Sequence, residues 1–170
     1  MDKAKILQAI RIALQTELNG VSFYKMAAEG TSDKKGKEAF TMLASEEKKH
    51  FGELQRHYAS IMSQNKWAPS ISLGEAKDMF SRESPIFSEE LKQRIKESHF
   101  EMSALSIGAL LETDSIEFYR KMKQEVDDPA ARELFEKLEN WEKGHLRAIT
   151  HQLDILKEDY WADQHFAPLY

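Results

Sequence analysis

Cysteine is absent from the chain. That excludes disulfides, thiolate catalysis, iron–sulfur clusters and a rubredoxin-type iron site built from four cysteines, so any metal must be held by nitrogen and oxygen. Glycine and proline are scarce, at seven and four residues, and alternating runs of β-branched residues are missing, which leaves little from which to build a sheet. Positive charge is not in excess either. The 24 Lys and Arg against 29 Asp and Glu leave a formal charge of -5, without the basic footprint of nucleic-acid binding. No uncharged run approaches the length needed to cross a bilayer. The opening MDKAKILQAIRIALQTEL is amphipathic with charges spread through it, unlike the basic cap and apolar block of a secretory signal. The expectation is a cytoplasmic chain with no nucleic-acid and no membrane partner.

What is present is an ordinary balance for a single domain over residues 1–170, with 41% hydrophobic and 31% charged residues. Helical periodicity dominates, and the chain reads as all-α. The first helix spans about Lys3 to Glu29 and ends at Gly30 in the loop GTSDKKG; the second runs from about Lys35 to Gln64. A long connection follows, NKWAPSISLGEAKDMFSRESPIF, in which Ser72 and Glu75 form a capping box for one short helix. Ser88 is placed to cap a third helix reaching about Val126, with a bend near Ser98. Asp127 and Asp128 before Pro129 mark the start of a fourth, to about Lys157. Residues 158–170 carry aromatic groups without a sustained period and read as a tail packed on the bundle or on a partner chain. Two short links and one long crossing between the second and third helices predict a four-helix bundle of ferritin-like connectivity.

The two halves repeat. Sliding the chain by 95 residues places Glu17 on Glu112, Phe23 on Phe118, Tyr24 on Tyr119, Phe40 on Phe135, Leu43 on Leu138, Glu47 on Glu142 and His50 on His145. The same helical hairpin therefore occurs twice, and neither copy can bury its apolar face alone, which implies a pseudo-two-fold pair. Within the stripes, Glu17 interrupts Ile6, Ile10, Ala13, Val21 and Tyr24, and Glu112 interrupts Met102, Leu105, Ala109, Ile116 and Tyr119. Glu47 and His50 together interrupt Phe40, Leu43 and Leu54, as Glu142 and His145 interrupt Phe135, Leu138 and Ile149. A spacing of three keeps each Glu and His on one face. Four carboxylates and two imidazoles thus converge at one level of the interior.

Such a layer is costly by itself, because buried carboxylates lose hydration and repel one another. Two divalent cations cancel four negative charges. Mixed carboxylate and imidazole donors suit iron or manganese, six protein ligands leave coordination positions open on two metals, and calcium would not explain the histidines. Di-iron and di-manganese bundles combine a Glu from each of two helices with Glu-x-x-His from each of the other two. In that scheme Glu47 and Glu142 bridge the metals, Glu17 and Glu112 are terminal ligands, and His50 and His145 bind one metal each. A single E-x-x-H occurs on many solvated helices; two copies at equal spacing from an upstream Glu are far more specific. Buried salt bridges do not account for the layer, since no Lys or Arg occupies the stripes.

Tyr24 and Tyr119 lie two turns beyond Glu17 and Glu112 on the same faces, placed either to hydrogen-bond to ligands and donate protons or simply to pack as core aromatics. Glu139 precedes Glu142 by one turn, but its first-half counterpart is Ala44, so a surface or salt-bridge role is expected. His57, with Gln152 as its counterpart, reads as a satisfied polar core pair rather than a ligand. His99, His151 and His165 have no repeated partner, and His165 is expected to pack in the tail. The seven methionines are helical core or scattered surface and form no soft-metal site.

At the level of ELNGVSFY and EEKKH in the first half, and ETDSIEFY and WEKGH in the second, the chain resembles ferritin-like proteins of the rubrerythrin group over residues 1 to about 157. The resemblance implies a carboxylate-bridged di-iron centre that reacts with hydrogen peroxide or dioxygen, with electrons supplied by a rubredoxin-type site. The chain departs from that group in lacking the four-cysteine rubredoxin domain, which calls for an external donor. It also carries Ser115 where rubrerythrins have an extra Glu three positions after the second terminal ligand, so redox-linked ligand exchange at that Glu is not carried over; Ser115 is placed instead to hold a water.

Three functions fit these residues. A peroxidase or oxidase of oxidative-stress defence ranks first, with two iron ions, or manganese, and a homodimer joined through apolar helix faces. A ferroxidase or iron-storage protein of bacterioferritin type needs a hollow shell, and the tail shows no clear fifth helix for one. A non-enzymatic module stapled by metal fits poorly with a duplicated site whose coordination is left open.

Overall fold

The computed structural model describes residues 3–69, 88, 91 and 98–163. Among the described residues, four long helices carry the fold: α1 (Lys3–Gly30), α2 (Lys34–Gln64), α3 (His99–Glu125) and α4 (Pro129–Asp163). Among the described residues there is no strand, and no helix is long and apolar enough to cross a membrane. The expected ferritin-like all-α bundle is what forms.

The helix ends follow the local chemistry. Asp33 stops the turn after α1 and opens α2, its carboxylate accepting the Gly36 N–H at 2.7 Å. Asn65 ends α2 in the left-handed conformation, φ 55°, and returns its N–H to the Ile61 carbonyl at 3.1 Å. Asp128 accepts the Ala130 and Ala131 N–H groups at 2.8 and 3.1 Å, with Pro129 as the first helical residue. Ser88 accepts the Leu91 N–H at 3.2 Å, as a cap does, and its own hydroxyl donates to Asp33. One aspartate thus ties the start of α2 to the chain returning from the crossover. Ser98 lies in a turn immediately before α3, at the place where a bend is expected. The capping box at Ser72 and Glu75 lies outside the described residues, as does His165.

One boundary differs from the sequence reading. The fourth helix does not stop near Lys157 but continues to Asp163. Leu156 is buried, Tyr160 packs against the adjoining core and meets His99 edge-on at 5.8 Å, and Trp161 meets Tyr160 at 5.4 Å. Aromatic contacts with the start of α3 therefore hold a last turn whose sequence shows no period of its own.

The helices pack as two hairpins, α1 with α2 and α3 with α4, and α1 also meets α3. Their apolar residues form two clusters rather than one. The first gathers Tyr24, Phe40, Leu43, Leu105 and Ile149; the second gathers Ile10, Leu54, Tyr119, Phe135 and Leu138. Along each helix the polar layer lies between them, so it is closed by hydrocarbon above and below.

Candidate metal centre

Glu17 comes from α1, Glu47 and His50 from α2, Glu112 from α3, and Glu142 and His145 from α4. All six are buried, none more than 4% exposed. His50 Nδ1 faces three carboxylate oxygens: Glu17 Oε2 at 3.3 Å, Glu47 Oε2 at 3.4 Å and Glu142 Oε1 at 3.3 Å. His145 Nδ1 faces Glu47 Oε1 at 3.0 Å, Glu142 Oε2 at 3.2 Å and Glu112 Oε2 at 3.7 Å. Glu47 and Glu142 each turn one oxygen to one imidazole and the second oxygen to the other. Two ligand groups result, Glu17, Glu47, His50 and Glu142, and Glu47, Glu112, Glu142 and His145, with the donor atoms of each within 4.8 Å of one another.

The two tyrosines complete the pseudo-symmetry across the hairpins. Tyr24 donates its hydroxyl hydrogen to Glu112 Oε1, and Tyr119 donates to Glu17 Oε1. Both phenols are fully buried, and burial followed by the adjacent carboxylate pushes each well above its ordinary pKa. They stay protonated and remain donors.

The charges of the layer are in conflict. Burial, then the Glu142 and Glu47 charges, push the Glu17 carboxyl well above the usual range, with His50 opposing; burial, then Glu47 and Glu142, do the same to Glu112, with His145 opposing. Burial works against Glu47 and Glu142 too, but the two imidazoles overcome it and hold both carboxyls below the usual range. The imidazoles in turn are driven well above their ordinary pKa, the surrounding carboxylates outweighing burial. Seven buried atoms of the layer have no hydrogen-bond partner: Glu17 Oε2, Glu47 Oε1, both Glu142 oxygens, both His50 nitrogens and His145 Nδ1. The orphaned carboxylate oxygens and the two Nδ1 atoms face one another across the layer, as donors to a divalent ion do, so the residues present fit a pair of metal ions.

Other candidates settle elsewhere. Glu139 is buried among Lys123 and Lys143, each at 2.6 Å, and Arg120 at 3.3 Å, which hold its carboxyl down at about 2 against the effect of burial. The salt-bridge expectation for it describes this geometry. His57 is buried beside Glu53 at 3.2 Å and against the Trp67 ring. Ser115 is buried at 7% exposure. Two features escaped the sequence reading. The Trp141 indole lies on the His50 ring at 4.9 Å and 16°. Gly20 backs onto Glu47, where a Cβ would meet the Glu47 Cγ at 3.2 Å and Cδ at 3.4 Å. A Gly one turn after Glu17 was the available signal for the second.

Four helices around a layer of shared carboxylates and paired imidazoles define a ferritin-like bundle whose interior fits a metal site. Within that class, the rubrerythrin family model matches residues 5–152, and the chain belongs to the rubrerythrin family. No curated protein matches it significantly. Among solved structures, a hypothetical protein from Pyrococcus furiosus is similar, with a TM-score of 0.56 and 21% identity over 90% of each chain. That likeness is one of fold alone.

Proposed function

We propose that the chain is a di-iron redox protein that reduces hydrogen peroxide or dioxygen, using electrons from an external donor of rubredoxin type. The observation that carries this reading is the sharing of Glu47 and Glu142 between two adjacent four-residue groups. Family membership supports it, since the motifs that define the resemblance are the ones that build the layer. Held by these residues, a pair of reduced ions would supply the two electrons, one from each, that reduction of the oxidant needs.

The protein's part is to hold and to exclude. Glu47 and Glu142 span the two positions; Glu17 with His50, and Glu112 with His145, close one position each. Tyr24 and Tyr119 orient the terminal carboxylates by occupying the oxygen turned away from the imidazoles. Their hydroxyls lie one carboxylate from the reaction space and keep their protons, so they serve there as fixed hydrogen-bond donors. The apolar clusters on both sides keep bulk water out and strengthen every charge interaction within. Iron fits the donor set, and manganese has the same preferences. The remaining elements of the proposal are a cytoplasmic homodimer and a single domain over residues 1–170.

The test is anaerobic loading of the metal-free chain with Fe(II), then rapid mixing with hydrogen peroxide. The proposal expects an iron absorption change much faster than that of free Fe(II) under the same conditions; an equal rate would defeat it.

A further inference from the structure

The repeat that makes the two halves alike fails beside one ligand. Trp141 packs its ring almost parallel on His50, 4.9 Å away, from the opposite hairpin. The position that repeats it in the first half is Glu46, whose side chain is part exposed and pairs with Lys49 at 2.5 Å. Among the described residues, the aromatic ring stacked on His145 is that of His50 itself, at 5.4 Å. The row of rings therefore runs Trp141, His50, His145 and has an indole at one end only.

His50 needs such a restraint. A ligating imidazole is ordinarily oriented by a hydrogen bond from its other nitrogen, yet His50 Nε2 is buried with no partner. Trp141 is itself only 8% exposed, and its indole lies flat on the His50 ring whose Nδ1 faces Glu17, Glu47 and Glu142. A side chain already held in its binding rotamer loses less freedom when a metal arrives.

On the metal-binding reading above, we infer that Trp141 is a positioning residue for His50 and makes the two metal positions unequal. The position built from Glu17, Glu47, His50 and Glu142 is the tighter and fills first. The centre is symmetric in its ligands but not in their support.

Titration calorimetry of the metal-free chain with Co(II), a redox-stable probe, tests this. The wild-type chain is expected to show two binding events about tenfold apart in affinity, the scale typical of a lost ligand-orienting contact. Trp141→Phe keeps a flat ring on His50 and should retain both events, whereas Trp141→Leu should weaken the tighter event by about tenfold and leave the weaker within about twofold. Independently of how the Leu variant folds, His50→Gln should remove the tight event and His145→Gln the weak one. Equal affinities in the wild type, a Trp141→Leu change that moves both events or neither, or loss of the tight event in His145→Gln would overturn the inequality. Uptake of fewer than two ions by the wild-type chain would overturn the metal reading itself, and the inequality with it.

Discussion

Tyr24 donates its hydroxyl hydrogen to one oxygen of Glu112, on the facing hairpin, while the other oxygen of that carboxylate lies 3.7 Å from His145 Nδ1. Tyr119 and Glu17 repeat the relationship, with the second Glu17 oxygen 3.3 Å from His50 Nδ1. The Glu17 and Glu112 carboxylates are thus each divided between a phenol on one oxygen and an imidazole beside the other.

Removing either hydroxyl should hurt, and by similar amounts. Tyr24→Phe or Tyr119→Phe leaves a buried carboxylate oxygen unsatisfied at a cost of about 1–3 kcal/mol. Urea denaturation of the metal-free chain reads that loss directly. A loss confined to one variant would show that the pseudo-symmetry of the site is geometric but not energetic.

Metal should stabilise the fold. A ligand present at about a hundred times its dissociation constant adds about 2.7 kcal/mol to a chain that binds it only when folded, so the melting temperature should rise on Mn(II) addition and fall on chelation. Glu47→Ala combined with Glu142→Ala, checked for retained helicity by circular dichroism, should lose the response to Mn(II). A double variant that still melts higher with Mn(II) would show that the stabilising ion sits elsewhere.

Gly20→Ala separates metal binding from folding. Alanine favours a helix interior over glycine by about 1 kcal/mol, but its methyl would stand 3.2 Å from the Glu47 Cγ and displace a carboxylate shared by both positions. Co(II) affinity should fall while the melting temperature of the metal-free chain holds. Unchanged affinity would mean that Glu47 has room to yield.

The acid limb of the stability curve should carry the signature of Glu139. Its carboxyl is held at about 2 by Lys123, Lys143 and Arg120, below the unfolded-chain value near 4.3. The sign follows from that order: the stabilisation is complete above the unfolded value and is lost as pH falls toward the folded one. Because the three cations are partly exposed and screened, about 1–2 kcal/mol is expected rather than the full linkage value. Glu139→Gln should be less stable by that amount at neutral pH and nearly equal to wild type at pH about 2, as read by denaturant melts at both.

The six residues of the layer could be read from the chain because each breaks an apolar stripe and each recurs 95 residues later. Periodicity and repetition are what a sequence displays openly. Trp141 was hidden for the same reason: as an aromatic on an apolar face it breaks no stripe, and its counterpart Glu46 gives no echo. The buried bond from the Thr31 hydroxyl to Glu101, 2.6 Å long, likewise joins residues 70 positions apart that no pattern relates. The last turn of α4 has no period of its own because Tyr160 is ordered by contacts across the bundle, with the core and with His99, which outweigh weak local preference. Pattern shows which faces are buried; pairings between unrelated positions depend on the packed structure.

On the proposed function, the buried acids of this layer are brought together to hold two cations. Anomalous diffraction from crystals of the chain loaded with Fe(II), collected at the iron edge, tests it most directly. The account predicts two peaks per chain, one among Glu17, Glu47, His50 and Glu142 and the other among Glu47, Glu112, Glu142 and His145. A layer with no peak, or with a single peak outside these residues, would contradict it.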